Sequence, residues 1–97
     1  MSAKRVLAEL HLHRAGLRRY GVRRLGLFGS AARGLARACS DLDFVVDFER
    51  KTFDDYMGLK FYLEELFHKD VDLVVADAIK PALRSRILRE VRYAQGL

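Results

Sequence analysis

The stretch from Leu25 to Phe48 constrains this chain more than any other. A short apolar run, Leu25-Gly26-Leu27-Phe28, ends in Gly29-Ser30, and after ten further residues a second run opens on Asp41-Leu42-Asp43 and continues Phe44-Val45-Val46. Strand side chains alternate between faces, so the i, i+2 spacing points Asp41 and Asp43 one way while Leu42, Phe44 and Val46 point the other. A strand built like this has one face for a core and one face that begins acidic. Two anions beside a glycine-led turn suggest a site for metal and phosphate.

The flanking sequence supplies partners for these strands. Val6, Leu7, Leu10 and Leu17 recur at helical spacing between Lys4 and Tyr20, which predicts one amphipathic helix ended by Gly21. Val22 to Phe28 reads as the first strand, with Leu25 and Leu27 on one face and Gly26 leaving room for a close approach on the other. A short helix is expected from Ala31 to about Arg37, then a loop, then a strand from Leu42 to Phe48. Thr52 can cap the next helix, whose apolar stripe is Phe53, Tyr56, Leu59, Leu63 and Phe67, with His68 and Lys69 closing it. The third strand follows as Asp70-Val71-Asp72-Leu73-Val74-Val75. Pro81 can start a final helix with Leu83, Ile87, Leu88 and Val91 turned inward and its arginines on the remaining faces. The order α-β-α-β-α-β-α predicts an α/β (α+β) fold in which helices pack around a small mixed sheet.

Ninety-seven residues with 51% hydrophobic content favour a single domain, 1–97. No apolar run reaches membrane-spanning length, and Met1-Ser2-Ala3-Lys4-Arg5-Val6 lacks the apolar stretch of a signal peptide, so a cytoplasmic protein is expected. The lone Cys39 has no second thiol with which to form a disulfide or a metal site and reads as a small loop residue. His11 and His13, two apart on a helix, face different directions and do not form a ligand pair. The net charge of +5 rests on thirteen arginines against five lysines and favours an anionic partner: a nucleotide, a nucleic acid or an acidic protein face.

Each local signal has a bland alternative. Gly29-Ser30 can hold a phosphate at the amides that open a helix, or the serine can simply cap that helix. The i, i+2 carboxylate spacing occurs twice, at Asp41/Asp43 and at Asp70/Asp72, and acidic residues at strand ends are often merely exposed. Position separates the copies: if the third strand lies beside the second, Asp72 reaches Asp41 and Asp43, while Asp70 is still in the turn. Three carboxylates so placed repel one another unless a cation is present, which favours a metal.

The order of strand, Gly29-Ser30, ten residues, Asp41-Leu42-Asp43, helix and Asp72 on a strand resembles the DNA polymerase beta-like nucleotidyltransferases. The Gly-Ser-x10-Asp-x-Asp spacing is similar to the minimal nucleotidyltransferase (MNT) antitoxins of HEPN/MNT toxin–antitoxin pairs. This resemblance implies two Mg2+ ions held by Asp41 and Asp43, with Asp72 completing one metal site and helping to deprotonate the attacking hydroxyl. Gly29 and Ser30 would hold the β- and γ-phosphates of ATP, and Arg33 would add charge. Ala31 stands where the family often carries an arginine. By the same resemblance the chain is expected to be an adenylyltransferase that moves AMP onto a hydroxyl, a tyrosine, of a cognate HEPN-type toxin and so silences it. A chain of this length leaves the acceptor surface to that partner. A catalytically idle antitoxin that neutralises by binding, and a basic nucleic-acid-binding regulator, are the competing expectations; nucleic acid is not the favoured partner.

Overall fold

The computed structural model describes residues 2–32 and 41–97. Ser2 caps α1 (Ala3–Leu12), its hydroxyl accepting the Arg5 amide at 3.2 Å, and Ala3, Val6 and Leu10 are buried along one side of the helix. The single helix expected up to Tyr20 is interrupted. At His13 the backbone leaves helical geometry (φ −101°, ψ 19°), and the ring Nδ1 lies 2.9 Å from the Glu9 carbonyl oxygen that also accepts the His13 amide. This second claim on a helical acceptor accompanies the break. The chain resumes as α2 (Arg14–Arg18), which carries Leu17 into the core.

Four strands form one mixed sheet in the order β3-β2-β1-β4. β1 (Val22–Phe28) runs antiparallel to β2 (Leu42–Phe48) and to β4 (Arg92–Tyr93), while β2 runs parallel to β3 (Val71–Val75). Val22 pairs with Phe48 and Arg24 with Asp47, so one residue of β1 is extra at that point. The bulge explains why Val22, Leu25 and Leu27 are all buried although simple alternation would turn Val22 away from the other two. Cross-strand pairs then share faces: Leu25 with Val46 and Leu27 with Phe44 across β1 and β2, Phe44 with Leu73 across β2 and β3.

That face is covered by α1, α2 and α4 (Phe53–Phe67), whose Leu59, Leu63 and Phe67 join the same core cluster. The Phe67 ring stacks on Phe44 at 5.9 Å between centroids. Thr52 caps α4 by accepting the Asp55 amide at 3.1 Å, as its sequence predicts. Phe53, placed in the apolar stripe by its spacing, is instead 76% exposed at the first turn of α4, which follows the C-terminal end of β2. α4 also occupies hydrogen-bonding positions along the outer edge of β3. The Tyr56 hydroxyl donates to the Leu73 carbonyl at 2.6 Å, and the Val71 amide donates to a Glu64 carboxylate oxygen at 3.2 Å. Side chains thus occupy groups that would otherwise recruit another strand.

The opposite face holds acidic residues singled out in the sequence. It carries Asp43, Val45 and Asp47 of β2, Asp72 and Val74 of β3, and Gly26 of β1. A 3-10 turn (Ala76–Ala78) leads through the buried Ile79 into α5 (Pro81–Glu90), with Pro81 in its first turn, and β4 follows at once. β4 was not foreseen from the sequence; its two residues carry no alternating pattern, and it exists because Gly26 leaves space. A Cβ at Gly26 would collide with Val91 and lie 3.0 Å from the Tyr93 ring. The inward stripe expected of α5 is also corrected: Leu83 is 48% and Leu88 40% exposed, and none of the helix's ten residues is buried. Among the described residues, no helix is long and apolar enough to cross a membrane.

The contact between α4 and the β3 edge can be tested directly. Tyr56→Phe removes the hydroxyl donated to Leu73 and should lower the unfolding free energy by about 1 kcal/mol, read as a lower urea midpoint at unchanged slope. An unchanged midpoint would show that water satisfies the Leu73 carbonyl equally well.

Candidate active site

The last pair of the β1–β2 ladder, Phe28 opposite Asp43, delivers the chain directly into a turn at Gly29. Gly29 has φ +74°, in the left-handed region that favours glycine. A Cβ there would also strike the Asp43 carboxylate, with Asp43 Cγ 3.2 Å and Cβ 3.3 Å from the added atom. The positive φ favours glycine here, and the Asp43 side chain leaves little room for a Cβ. Gly29 begins α3 (Gly29–Ala32), which contains Ser30. The backbone thus turns from strand to helix against the carboxylate, an arrangement in which N–H groups and anionic oxygens border one space.

The carboxylates meet through strand register. Asp43 and Asp72 are direct partners across the parallel β2–β3 pair and so project from the same face at adjacent positions. Asp41 precedes β2 by one residue and is exposed, as is Asp72, whereas Asp43 is partly buried. Burial pushes the Asp43 carboxyl up from 3.8 to about 6, with further contributions from the Asp72 charge, a hydrogen bond shared with Asp72, and the Asp41 charge. Three of the residues singled out in the sequence are thereby coupled electrostatically. Asp70 is not among the groups that act on Asp43; it lies in the turn before β3, and its carbonyl accepts the Leu42 amide at 3.1 Å. Asp47, at the far end of β2, is occupied by Arg24 at 3.4 Å.

The donor set fits a hard divalent cation, since carboxylate oxygens are its preferred ligands and positive charge relieves their repulsion. Among the described residues no group of three acidic, histidine or cysteine side chains is arranged to enclose an ion by itself. One or two protein carboxylates, completed by phosphate oxygens and water, is the usual way in which magnesium is held. Arg33 and Cys39 lie outside the described residues, as does most of the helix expected from Ala31 to about Arg37. The packing of Gly29 against Asp43 has no mark in the linear pattern, although a glycine at the end of a strand leading to an acidic pair is where such a contact would be sought. His11 and His13 take no part; each ring hydrogen-bonds a backbone carbonyl, of Gln95 and Glu9 respectively, at 2.9 Å.

Comparison with known proteins agrees with this geometry. Residues 12–94 match the nucleotidyltransferase domain family. The protein adenylyltransferase MntA of Thermococcus cleftensis is 39% identical over 95 residues, 96% of each chain. A candidate protein adenylyltransferase of Methanocaldococcus jannaschii is 43% identical over 75 residues, 76% of this chain and 81% of its own. A solved structure of a candidate minimal nucleotidyltransferase superposes with a TM-score of 0.81 at 39% identity over 95% of both chains. A toxin–antitoxin complex solved with AMP-PNP shares the fold, with a TM-score of 0.71 at 22% identity over 90% of this chain and 73% of that one.

The raised Asp43 value carries a definite consequence for stability. The folded chain holds this proton more tightly than the unfolded chain, so the group's contribution is fully present below pH 3.8 and is lost as the pH rises through about 6. In buffer free of divalent cations, Asp43→Asn should therefore melt higher than the parent chain well above pH 6. The difference should vanish below pH 3.8, where both side chains are neutral. Equal melting temperatures across that window would mean that Asp43 ionises unhindered.

Proposed function

As a member of the nucleotidyltransferase domain family, this chain is, we propose, a magnesium-dependent protein adenylyltransferase that transfers AMP from ATP to a tyrosine hydroxyl of a HEPN-type toxin and thereby acts as its antitoxin. The observation that carries this reading is the register pairing of Asp43 with Asp72 against the Gly29 turn. Support for a protein acceptor comes from the Thermococcus relative, named as a protein adenylyltransferase and alike over almost its whole length. A neighbour of the same fold, solved as a toxin–antitoxin complex with AMP-PNP, supports a nucleoside triphosphate as the substrate and a toxin as the partner.

The chemistry asks for in-line attack on the α-phosphorus, with charge developing on the attacking and leaving oxygens. Asp41 and Asp43 would hold magnesium, with Asp72 completing one metal site, and the bound metal would supply positive charge to offset the negative charge developing on the phosphate oxygens. Asp72 takes the proton from the acceptor hydroxyl. A bond forms between the acceptor oxygen and the α-phosphorus, the bond from that phosphorus to the bridging oxygen breaks, and diphosphate leaves. The amides of Gly29 and Ser30 with the Ser30 hydroxyl orient the β- and γ-phosphates, and Arg33 adds charge to that end. The crowding between Gly29 and Asp43 keeps the phosphate-facing turn and the metal-facing strand in fixed relation.

Purified with its HEPN-type partner, Mg2+ and ATP, the chain should add AMP-sized increments to the partner, seen by intact mass. Asp41→Ala combined with Asp43→Ala should abolish them, and Asp72→Asn should slow them by about 10²- to 10⁴-fold, the range for losing a general base. Absence of any increment with the parent chain, or equal increments with the double variant, would refute the assignment. Protection from the toxin by the double variant as complete as that by the parent chain would favour neutralisation by binding.

A further inference from the structure

We infer that α5 is the docking surface for the protein acceptor, an interface in which apolar contacts at Leu83 and Leu88 are framed by the basic groups of Lys80 and Arg84 and matched by acidic residues on the partner. This inference rests on the protein-adenylyltransferase reading and adds to it the surface by which the acceptor is held.

Exposure is the first observation. A helix with leucines at helical spacing normally encloses them, yet Leu83 is 48% and Leu88 40% exposed and no residue from Pro81 to Glu90 is buried. Leu83, Arg84, Ile87 and Leu88 fall within one arc of the helix, at i, i+1, i+4 and i+5, with Lys80 one turn before Arg84. Apolar side chains interleaved with arginine are the composition of a protein interface, where arginine is enriched and lysine and acidic residues are depleted in the centre.

Position is the second. α5 begins past the far end of β3 and ends at β4, where Arg92 pairs with Leu27, two residues before Gly29. Over ten residues the helix spans about 15 Å and so returns from the far end of the sheet to the catalytic end. It also packs on α3, the element that starts at Gly29. Other exposed apolar residues stand elsewhere. Phe53 begins α4, beyond the C-terminal end of β2, whereas Asp43 lies at the start of that strand, so about 17 Å of strand separates them.

Charge is the third. Lys80, Arg84, Arg86, Arg89 and Arg92 are exposed on α5 and β4, while the adjoining site presents Asp41, Asp43 and Asp72. Arg86 is drawn toward Glu90 at 3.8 Å, which leaves Lys80 and Arg84 as the basic groups on the leucine arc. A partner whose surface sets carboxylates around an apolar contact is attracted to α5 and repelled by the site's own rim, which fixes the direction in which it seats. An RNA would gain the phosphate contacts and forfeit the leucines.

The experiment uses the full chain with its HEPN-type partner and two variants, Leu83→Ser with Leu88→Ser and Lys80→Glu with Arg84→Glu. All four side chains are exposed, and unchanged thermal melting confirms folding. Each variant should weaken partner binding and raise the acceptor KM by at least about tenfold, while ATP affinity and the rate at saturating acceptor stay within about twofold. The parent complex should weaken with added salt, and the charge-reversed variant should lose most of that dependence. Phe61→Ser on α4 should alter none of these quantities. Partner affinity equal to the parent's in both variants overturns the inference, as does loss of RNA binding with protein binding intact. A parent chain that binds the partner but adds no AMP refutes the adenylylation reading while the binding comparison still decides the surface.

Discussion

Asp43 and Asp72 stand side by side because β2 and β3 run parallel and in register, and much of the molecule answers to the repulsion between two carboxylates held at strand spacing. Burial alone would already disfavour the Asp43 anion, and the Asp72 and Asp41 charges add to that, so its carboxyl is pushed up to about 6. A divalent cation held there, as proposed, would relieve this repulsion, because a nearby positive charge favours the carboxylate form. Such a site needs a framework that cannot spread its carboxylates apart, and a parallel ladder sealed beneath by Phe44, Leu73 and Phe67 is one.

Close approach governs the rest of the site. Gly29 lets the backbone turn against Asp43, and Gly26 lets Val91 and Tyr93 cross β1 on the same face. The first glycine sets the turn against the acidic strand. The second leaves room for the end of α5 to reach the acidic end of the sheet. Two missing side chains, one on β1 and one at the turn that follows it, thus bring the acidic end of the sheet near the helix whose leucines are exposed. Packing on the other face is conventional by comparison, with three helices over a continuous apolar layer and α4 side chains closing the β3 edge.

Much of this was legible in the residues. The alternation of β2, the Thr52 cap, Pro81 in the first turn of α5 and the separation of Asp72 from Asp70 follow from local rules of strand parity, capping and turn position, and the structure has each of them. What was not legible involved competition or distance. The break at His13 comes with a ring nitrogen sharing a carbonyl with the backbone, a contact that helical spacing does not encode. Burial of Val22 depends on a bulge, which shifts parity without leaving a mark in the apolar pattern. The exposure of Phe53, Leu83 and Leu88 depends on where the sheet ends and what lies opposite, and helical periodicity contains neither.

By itself the sequence determined the inventory and its order: a glycine-serine turn, an acidic pair ten residues on, a third carboxylate on a later strand, and the family to which that order belongs. Those features are local, because each follows from spacing along one strand or one helix. The tertiary structure decided that Asp72 stands directly opposite Asp43, how far the proton affinity of Asp43 is raised, and that Gly29 packs against the Asp43 side chain as well as adopting a left-handed φ. It also decided that α5 returns to the acidic end of the sheet with its leucines exposed. Those outcomes arise where strands pair and faces meet, so burial, register and neighbouring charge set them, and a linear pattern carries none of the three.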